Sequence, residues 1–428
     1  MGTVFAIALV ARIWLIFQVP HNYSFDGFQR WAGREHLLVQ DWLPGTQAVL
    51  WLVDQLGGGL WMARVALALV ASAAVAAGSS VALSMGGPVA GLSFAAVGLF
   101  GPFVAWSVVP YQEGMFLLVM LGSLALALRN RVRVADAVAG LTALVRYEGW
   151  PFVLLYVAWR RDPRALRACW GMVLWLLLRL GLGVEGYRAS PIDYADWTGI
   201  LDRLDWASLG EDLARLGEQG TRTWGWVWIG LGAVGAGVAV RRNTPGARLL
   251  LATVLVQLAA VACWMVGLES SIYRMQVVPG VLLGVFAAVL VGWIWVWTGG
   301  PGRPGPLVRG LLVLGVLAMG ARGVHTAHWN AKRSIRSVGE ELELVQQVAA
   351  CTDCRWWLEP RQGLGTRDRH DGCEILQGLT ELRHGEDFWC AAWMERGQVP
   401  PGVTLTHRAR WEQGEYRVDR LTEVESTP

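Results

Sequence analysis

The hydrophobic positions over the first three quarters of this chain fall in blocks near the ~20 residues that carry a helix across a bilayer. The blocks predict eleven spans, at 3–19, 60–84, 88–108, 114–129, 134–145, 149–159, 165–183, 223–240, 247–267, 273–297 and 306–321. Those at 134–145 and 149–159 are too short to cross alone. The first block has neither a charged leader nor a small-residue cleavage site, and reads as a span, not a signal peptide. Between the blocks, Thr46, Val49, Leu50, Leu52, Val53 and Leu56 recur at helical spacing among Gln47, Asp54 and Gln55, which predicts a helix lying in the membrane interface. Loop 184–222 sets Trp197, Leu201, Leu204, Leu209, Leu213 and Leu216 among acids, which again predicts surface helices. No repeat of period 20–50 is present.

The pattern changes near residue 322. Residues 334–350 are polar, with Val338, Leu342, Leu344, Val345 and Val348 at helical spacing. Arg355-Trp356-Trp357-Leu358 reads as a strand, and Val403, Leu405, Tyr416, Val418 and Leu421 alternate loosely as half-buried strands do. The expected fold class is an all-α polytopic membrane protein of about eleven transmembrane helices with a small α/β domain after it. The expected domains are 1–321 and 322–428.

Composition agrees. The 428 residues are 54% hydrophobic and 17% charged, against about 25% charged in a soluble globular chain. A net charge of +3 is too small to argue for a nucleic-acid partner. Of the 37 basic residues only Lys332 is a lysine, so single arginines carry less weight here than usual. Their placement still orients the chain. Arg129, Arg131 and Arg133 share one loop. Arg160, Arg161, Arg164 and Arg167 share a second, Arg241, Arg242 and Arg248 a third, and Arg303 and Arg309 a fourth. All four fall on one side when the N-terminus is inside, and the positive-inside rule makes that side cytoplasmic. Loop 20–59, the turn near 109–113, loop 184–222 and the tail then lie outside the cytoplasmic (inner) membrane.

Charged residues gather on that outer side. Asp26 sits at the end of the first span, where a carboxylate could accept a proton from an attacking hydroxyl or simply be a solvated capping residue. Arg30 follows it. Glu113 opens a span, where an acid also suits the positive end of a helix. Arg146 and Glu148 lie between the two short spans, either neutralising one another or offering a cation to an anionic head group. Tyr273 and Arg274 begin a late span, where both are also common interfacial anchors. Arg12 and Arg179 are further charges within apolar runs. Arginine suits phosphate because its fork makes two charge-assisted hydrogen bonds.

Asp26, Arg30-Trp31, Arg34-Glu35 and Asp41-Trp42-Leu43-Pro44 together resemble the first outer loop of polytopic glycosyltransferases of the C fold. Protein O-mannosyltransferases and lipid A aminoarabinose transferases are among them. Tyr111-Gln112-Glu113-Gly114 is similar to their second motif. Leu141-Thr142-Ala143-Leu144-Val145-Arg146-Tyr147-Glu148-Gly149 is similar to their Thr-Arg-Pro-Glu-Gly segment, with Tyr147 at the proline. Ser271-Ile272-Tyr273-Arg274 through Pro279 resembles their late Arg-Tyr…Pro span, and Arg12 in the first span also fits. The resemblance covers about residues 1–290. It implies a sugar moved from a polyprenyl-phosphate donor to a lipid, glycan or protein hydroxyl at the extracytoplasmic face, with inversion. Asp26 would act as base, Arg146 and Arg274 would hold the phosphate, and Glu113 would position sugar or acceptor. Where those families carry Asp-Glu, this chain has Asp26-Gly27. That removes a second carboxylate which could have helped hold a divalent metal, so no cofactor is assigned.

Two rival classes share these features. A transporter or flippase would line a path with the same charges, but would show paired midplane charges and inverted repeats. A non-catalytic scaffold would merely present the tail. In the tail, Cys351, Cys354, Cys373 and Cys390 are disulfide candidates with three pairings open. Zinc is the alternative, disfavoured because only the first pair has Cys-x2-Cys spacing and disulfides persist outside the cytoplasm.

Overall fold

A computed structural model of the chain describes residues 1–19, 30–31, 34, 37, 43–182, 210, 214, 217–218, 220–221, 223–268, 276–300, 305–349, 355–360, 388–390, 407–413 and 416–421. It divides into two compact units, Met1–Asn330 and Ala331–Pro428.

The first unit is helical. Helix α1 (Gly2–Gln18) is followed by α2 (Pro44–Gln55), α3 (Leu60–Gly98), α4 (Gly101–Trp106) and α5 (Glu113–Leu128). Next come α6 (Val132–Leu141), a 3-10 turn (Thr142–Leu144), α7 (Gly149–Arg160), a second 3-10 segment (Pro163–Cys169) and α8 (Trp170–Leu182). Then come α9 (Trp226–Arg241), α10 (Ala247–Leu268), α11 (Val277–Thr298) and α12 (Gly305–Ala349), whose residues from 331 onward belong to the second unit. Among the described residues, α3, α11 and the 305–329 part of α12 are long and apolar enough to cross a membrane; α1, α5, α9 and residues 247–262 of α10 are shorter apolar helices.

The break expected between the second and third spans is real. Gly87 has φ +84°, open to glycine, and Pro88 supplies no N–H to continue the ladder. The chain turns back on itself there, and the two arms of α3 pack antiparallel. The Ser79 hydroxyl donates to the Gly91 carbonyl at 2.7 Å, and Gly98 lies so close to Val75 that a Cβ would collide with its side chain. The second arm is shorter than the expected 88–108: it ends at Gly98, and Gly101-Pro102 start α4 afresh. The expected span at 165–183 likewise begins as 3-10, because Pro163 follows Asp162, whose carboxylate accepts from the Arg164 N–H at 2.9 Å. The expected interfacial helix at 46–59 is α2, packed through Leu50 and Val53 onto Ala63 and Leu67 of α3.

Helix α11 is the centre of the core. It is apolar all round, as a helix surrounded by others must be, and packs against α3 and α9. Small residues set the approach: a Cβ on Gly86 would lie 2.9 Å from the Val289 Cα, and one on Gly235 would strike the Phe286 carbonyl. The last span does not stop at 321. Helix α12 continues to Ala349, fusing the expected span and the expected tail helix into one 45-residue element.

In the second unit, β1 (Arg355–Pro360), β2 (Phe388–Cys390), β3 (His407–Gln413) and β4 (Tyr416–Leu421) form one sheet in the order β2-β1-β4-β3. Strand β1 pairs parallel with β2 and antiparallel with β4, and β3 pairs antiparallel with β4. The strands expected at 355–358 and 416–421 are present; Val403 and Leu405 lie outside the described residues.

Candidate functional site

Helix α5 opens on Glu113, an acid at the positive end of its own helix. The side chain is 1% exposed. Its Oε1 accepts from Arg146 Nη1 at 2.6 Å. Arg146, itself 6% exposed, also grips Glu148 with both prongs: Nε donates to Oε2 at 3.1 Å and Nη2 to Oε1 at 2.7 Å. One guanidinium thus holds two carboxylates from different elements, Glu113 buried and Glu148 16% exposed. The shared cation offsets the repulsion between two like charges held away from bulk water. The expected Arg146–Glu148 neutralisation is present, but Glu113, 33 residues earlier, shares it.

The turn that carries Arg146 is tightly built. The Thr142 hydroxyl donates to the Ala139 carbonyl at 2.6 Å, Arg146 N–H to Thr142 O at 3.2 Å, and Gly149 N–H to Arg146 O at 2.9 Å. A Cβ on Gly149 would run into the Thr142 carbonyl, and one on Gly45 of α2 would meet the Leu144 carbonyl at 2.9 Å. Gly149→Ala is therefore expected to lower the thermal unfolding midpoint, at an overpacking cost of about 1–3 kcal/mol. Gly230→Ala, where a Cβ meets nothing within 4 Å, should leave it unchanged or raise it. Differential scanning fluorimetry of both variants in detergent checks this; equal midpoints would refute the crowding argument.

Arg30 is brought to the same place. It is buried, its carbonyl accepts from Gln47 Nε2 of α2 at 3.2 Å, and its Nη2 donates to the Gln112 amide oxygen at 2.7 Å when that amide is oriented to satisfy both its ends. The Gln112 nitrogen then donates to the Val145 carbonyl. Gln112 therefore ties Arg30 to the turn bearing Arg146, and Gln47 ties it to α2. Nothing in the sequence marks them, because an amide at a helix edge has no pattern of its own. Arg34 pairs with Asp54 at 2.8 Å and lies over the Trp31 ring at 4.8 Å.

Two further arginines secure the segment that leads to Glu113. Arg12, fully buried in α1, donates to Ser107 Oγ at 2.8 Å, Ala8 O at 3.0 Å and Gly98 O at 3.1 Å, and lies over the Phe103 ring. Arg64 in α3 is equally buried and donates from Nε to Val108 O at 2.8 Å. Arg12 pairs within the protein, one of the two fates its sequence position allows. Arg64 was open to the same reasoning, as an arginine inside the run Trp61-Met62-Ala63-Arg64-Val65.

Asp26, Tyr273 and Arg274 lie outside the described residues, as do Cys351, Cys354 and Cys373. Cys390 stands in β2 opposite Leu358. Among the described residues, no group of three or more His, Cys, Asp or Glu is placed to hold a metal ion.

No family model matches the chain, and no curated protein matches it. Solved structures do. ArnT from Cupriavidus metallidurans in the apo state aligns with a TM-score of 0.57 at 14% identity, over 98% of this chain and 97% of that one. The same protein bound to undecaprenyl phosphate aligns with a TM-score of 0.53 at 13% identity, over 100% and 99%. The likeness runs along both chains from end to end, and it establishes the fold: this chain is a multi-pass membrane protein built on the C-type glycosyltransferase architecture.

Proposed function

We propose that the protein is a membrane glycosyltransferase that moves a sugar from a polyprenyl-phosphate donor to a hydroxyl acceptor at the extracytoplasmic face. The observation that carries the reading is the Glu113–Arg146–Glu148 triad, its first two members buried, with Arg30 beside it. It lies on a fold shared with a protein whose solved structure holds undecaprenyl phosphate. Asp26 takes the proton of the acceptor hydroxyl as the oxygen attacks the anomeric carbon. The bond from that carbon to the phosphate oxygen breaks, and the lipid phosphate leaves with the electron pair. Direct displacement inverts the configuration. Arg146 and Arg274 hold the leaving phosphate, Glu148 and Glu113 orient the Arg146 fork, and Glu113 also faces the sugar or acceptor.

Purified protein given radiolabelled polyprenyl-phosphate sugars and a panel of lipid, glycan and peptide acceptors should transfer label to one acceptor class, with the anomeric configuration inverted. Retention of configuration would defeat the single-displacement scheme, and no transfer across the full panel would defeat the enzyme reading.

We further propose that the tail from 322 lies outside the cytoplasm, with Cys351, Cys354, Cys373 and Cys390 in two disulfides. A domain of only about 100 residues has a limited core and gains from such links. Thiol labelling of intact cells should find these cysteines blocked until an impermeant reductant is added. Labelling only after lysis, with no reductant, would put the tail inside and favour zinc.

A further inference from the structure

The far end of α7 from the triad borders a second cavity. The twelve residues of α7 at 1.5 Å each put about 18 Å of helix between its Glu148 end and its Arg161 end. There the last turn of α7 and the start of α10 enclose a cavity of about 520 Å³, within the size range of small-molecule sites. Its wall is apolar, formed by Leu155, Trp159, Leu249 and Ala252, while Arg161 and Arg248 stand at its polar edge with Asn243 and Thr244. Arg248 Nη2 donates to Asn243 Oδ1 at 2.7 Å, which holds that guanidinium over the turn. The N-terminal end of α10 adds its partial positive charge. Among the described residues, no carboxylate lines the cavity. Asp162, next to Arg161, accepts from the Arg164 N–H and caps the 3-10 segment that follows.

We infer that this cavity binds an anionic phospholipid, its head-group phosphate between Arg161 and Arg248 and the first part of an acyl chain against Leu155, Leu249 and Ala252. Basic pockets between membrane helices recognise such head groups. The apolar wall adds what a free phosphate ion would not use, and two arginines without an acid favour net negative charge over a zwitterion. The site is distinct from the triad, and the inference stands whether or not the proposed transfer reaction is correct.

Native mass spectrometry of the full-length, delipidated protein tests it, with dioleoylphosphatidylglycerol, dioleoylphosphatidylcholine and inorganic phosphate as probes. Phosphatidylglycerol should bind in preference to phosphatidylcholine. Arg161→Gln/Arg248→Gln should weaken it by about thirtyfold, as the loss of two charges facing an anionic head group implies. Both side chains are exposed, so the double variant should fold. Ala252→Trp, which fills the wall, should also weaken binding while leaving both charges in place. Arg129→Gln/Arg131→Gln, exposed on another basic loop, should not. Equal binding of the two lipids would overturn the proposal, as would equal loss in the two double variants. Competition by inorganic phosphate at comparable concentration would show an ion site without the lipid.

Discussion

Asp26→Asn is expected to lower sugar transfer by about 10²–10⁴-fold, the contribution of a positioned general base, while expression and folding stay at the wild-type level. The change removes proton affinity and keeps nearly the same shape. In the sequence Asp26 lies between the first span and Arg30, four residues before the latter, and Arg30 is drawn through Gln112 to the turn that bears Arg146. That connection brings Arg30 to the candidate site without invoking any contact of Asp26 itself. Single-turnover transfer by wild type and variant, with matched thermal midpoints, reads the effect. Turnover within a few-fold of wild type would remove Asp26 from the base role and with it much of the enzyme reading.

Arg146→Ala should have the largest effect on stability in the described part of the chain. It leaves Glu113 buried and both carboxylates without their shared cation, and breaking a buried ion pair costs about 3–5 kcal/mol. Arg146→Lys keeps the charge but not the fork, so it should recover only part of that loss. The same residue is proposed to meet the donor phosphate, and Arg274→Ala supplies a second view of that contact. A lost charge-assisted hydrogen bond of about 1.5–3 kcal/mol would weaken donor affinity roughly 10- to 150-fold. The donor should suffer more than the acceptor. Wild-type donor affinity in both Arg146→Lys and Arg274→Ala would take these arginines out of the phosphate site. An unchanged unfolding midpoint in Arg146→Ala would contradict the triad itself.

Much of the helical order was legible because apolar blocks and their breakers coincide. The gap between the spans expected at 60–84 and 88–108 holds Gly87, and the chain does turn there. Pro163 after a polar Asp162 began a 3-10 segment where only an apolar run was visible, since i+3 and i+4 bonding leave the same composition. The end of the last span was misplaced for a related reason: a fall in hydrophobicity near 322 marks a change of surroundings, and the helix continues through it to Ala349. At the site, Glu113, Arg146 and Glu148 could each be picked out as charges beside apolar runs. Their union could not, because 33 residues of chain separate Glu113 from the guanidinium it shares with Glu148. Gln112 and Gln47 were invisible for want of charge. Arg64 was visible in principle, since an arginine inside an apolar run must find buried acceptors or reach water.

The brevity of α6 and α7 bears on how the chain is made. They have 10 and 12 residues, or about 15 and 18 Å at 1.5 Å per residue, while the hydrocarbon layer is about 30 Å thick. Neither can be handed to the bilayer as a separate transmembrane unit during synthesis. Arg146 and Glu148, in the turn that joins them, would each penalise insertion as isolated charges. Glu113 emerges from the ribosome before both. Biosynthesis would therefore leave that carboxylate waiting until the α6–α7 hairpin arrives with its arginine. The natural unit of membrane integration is α5, α6 and α7 together, released with one guanidinium shared between two carboxylates and not helix by helix.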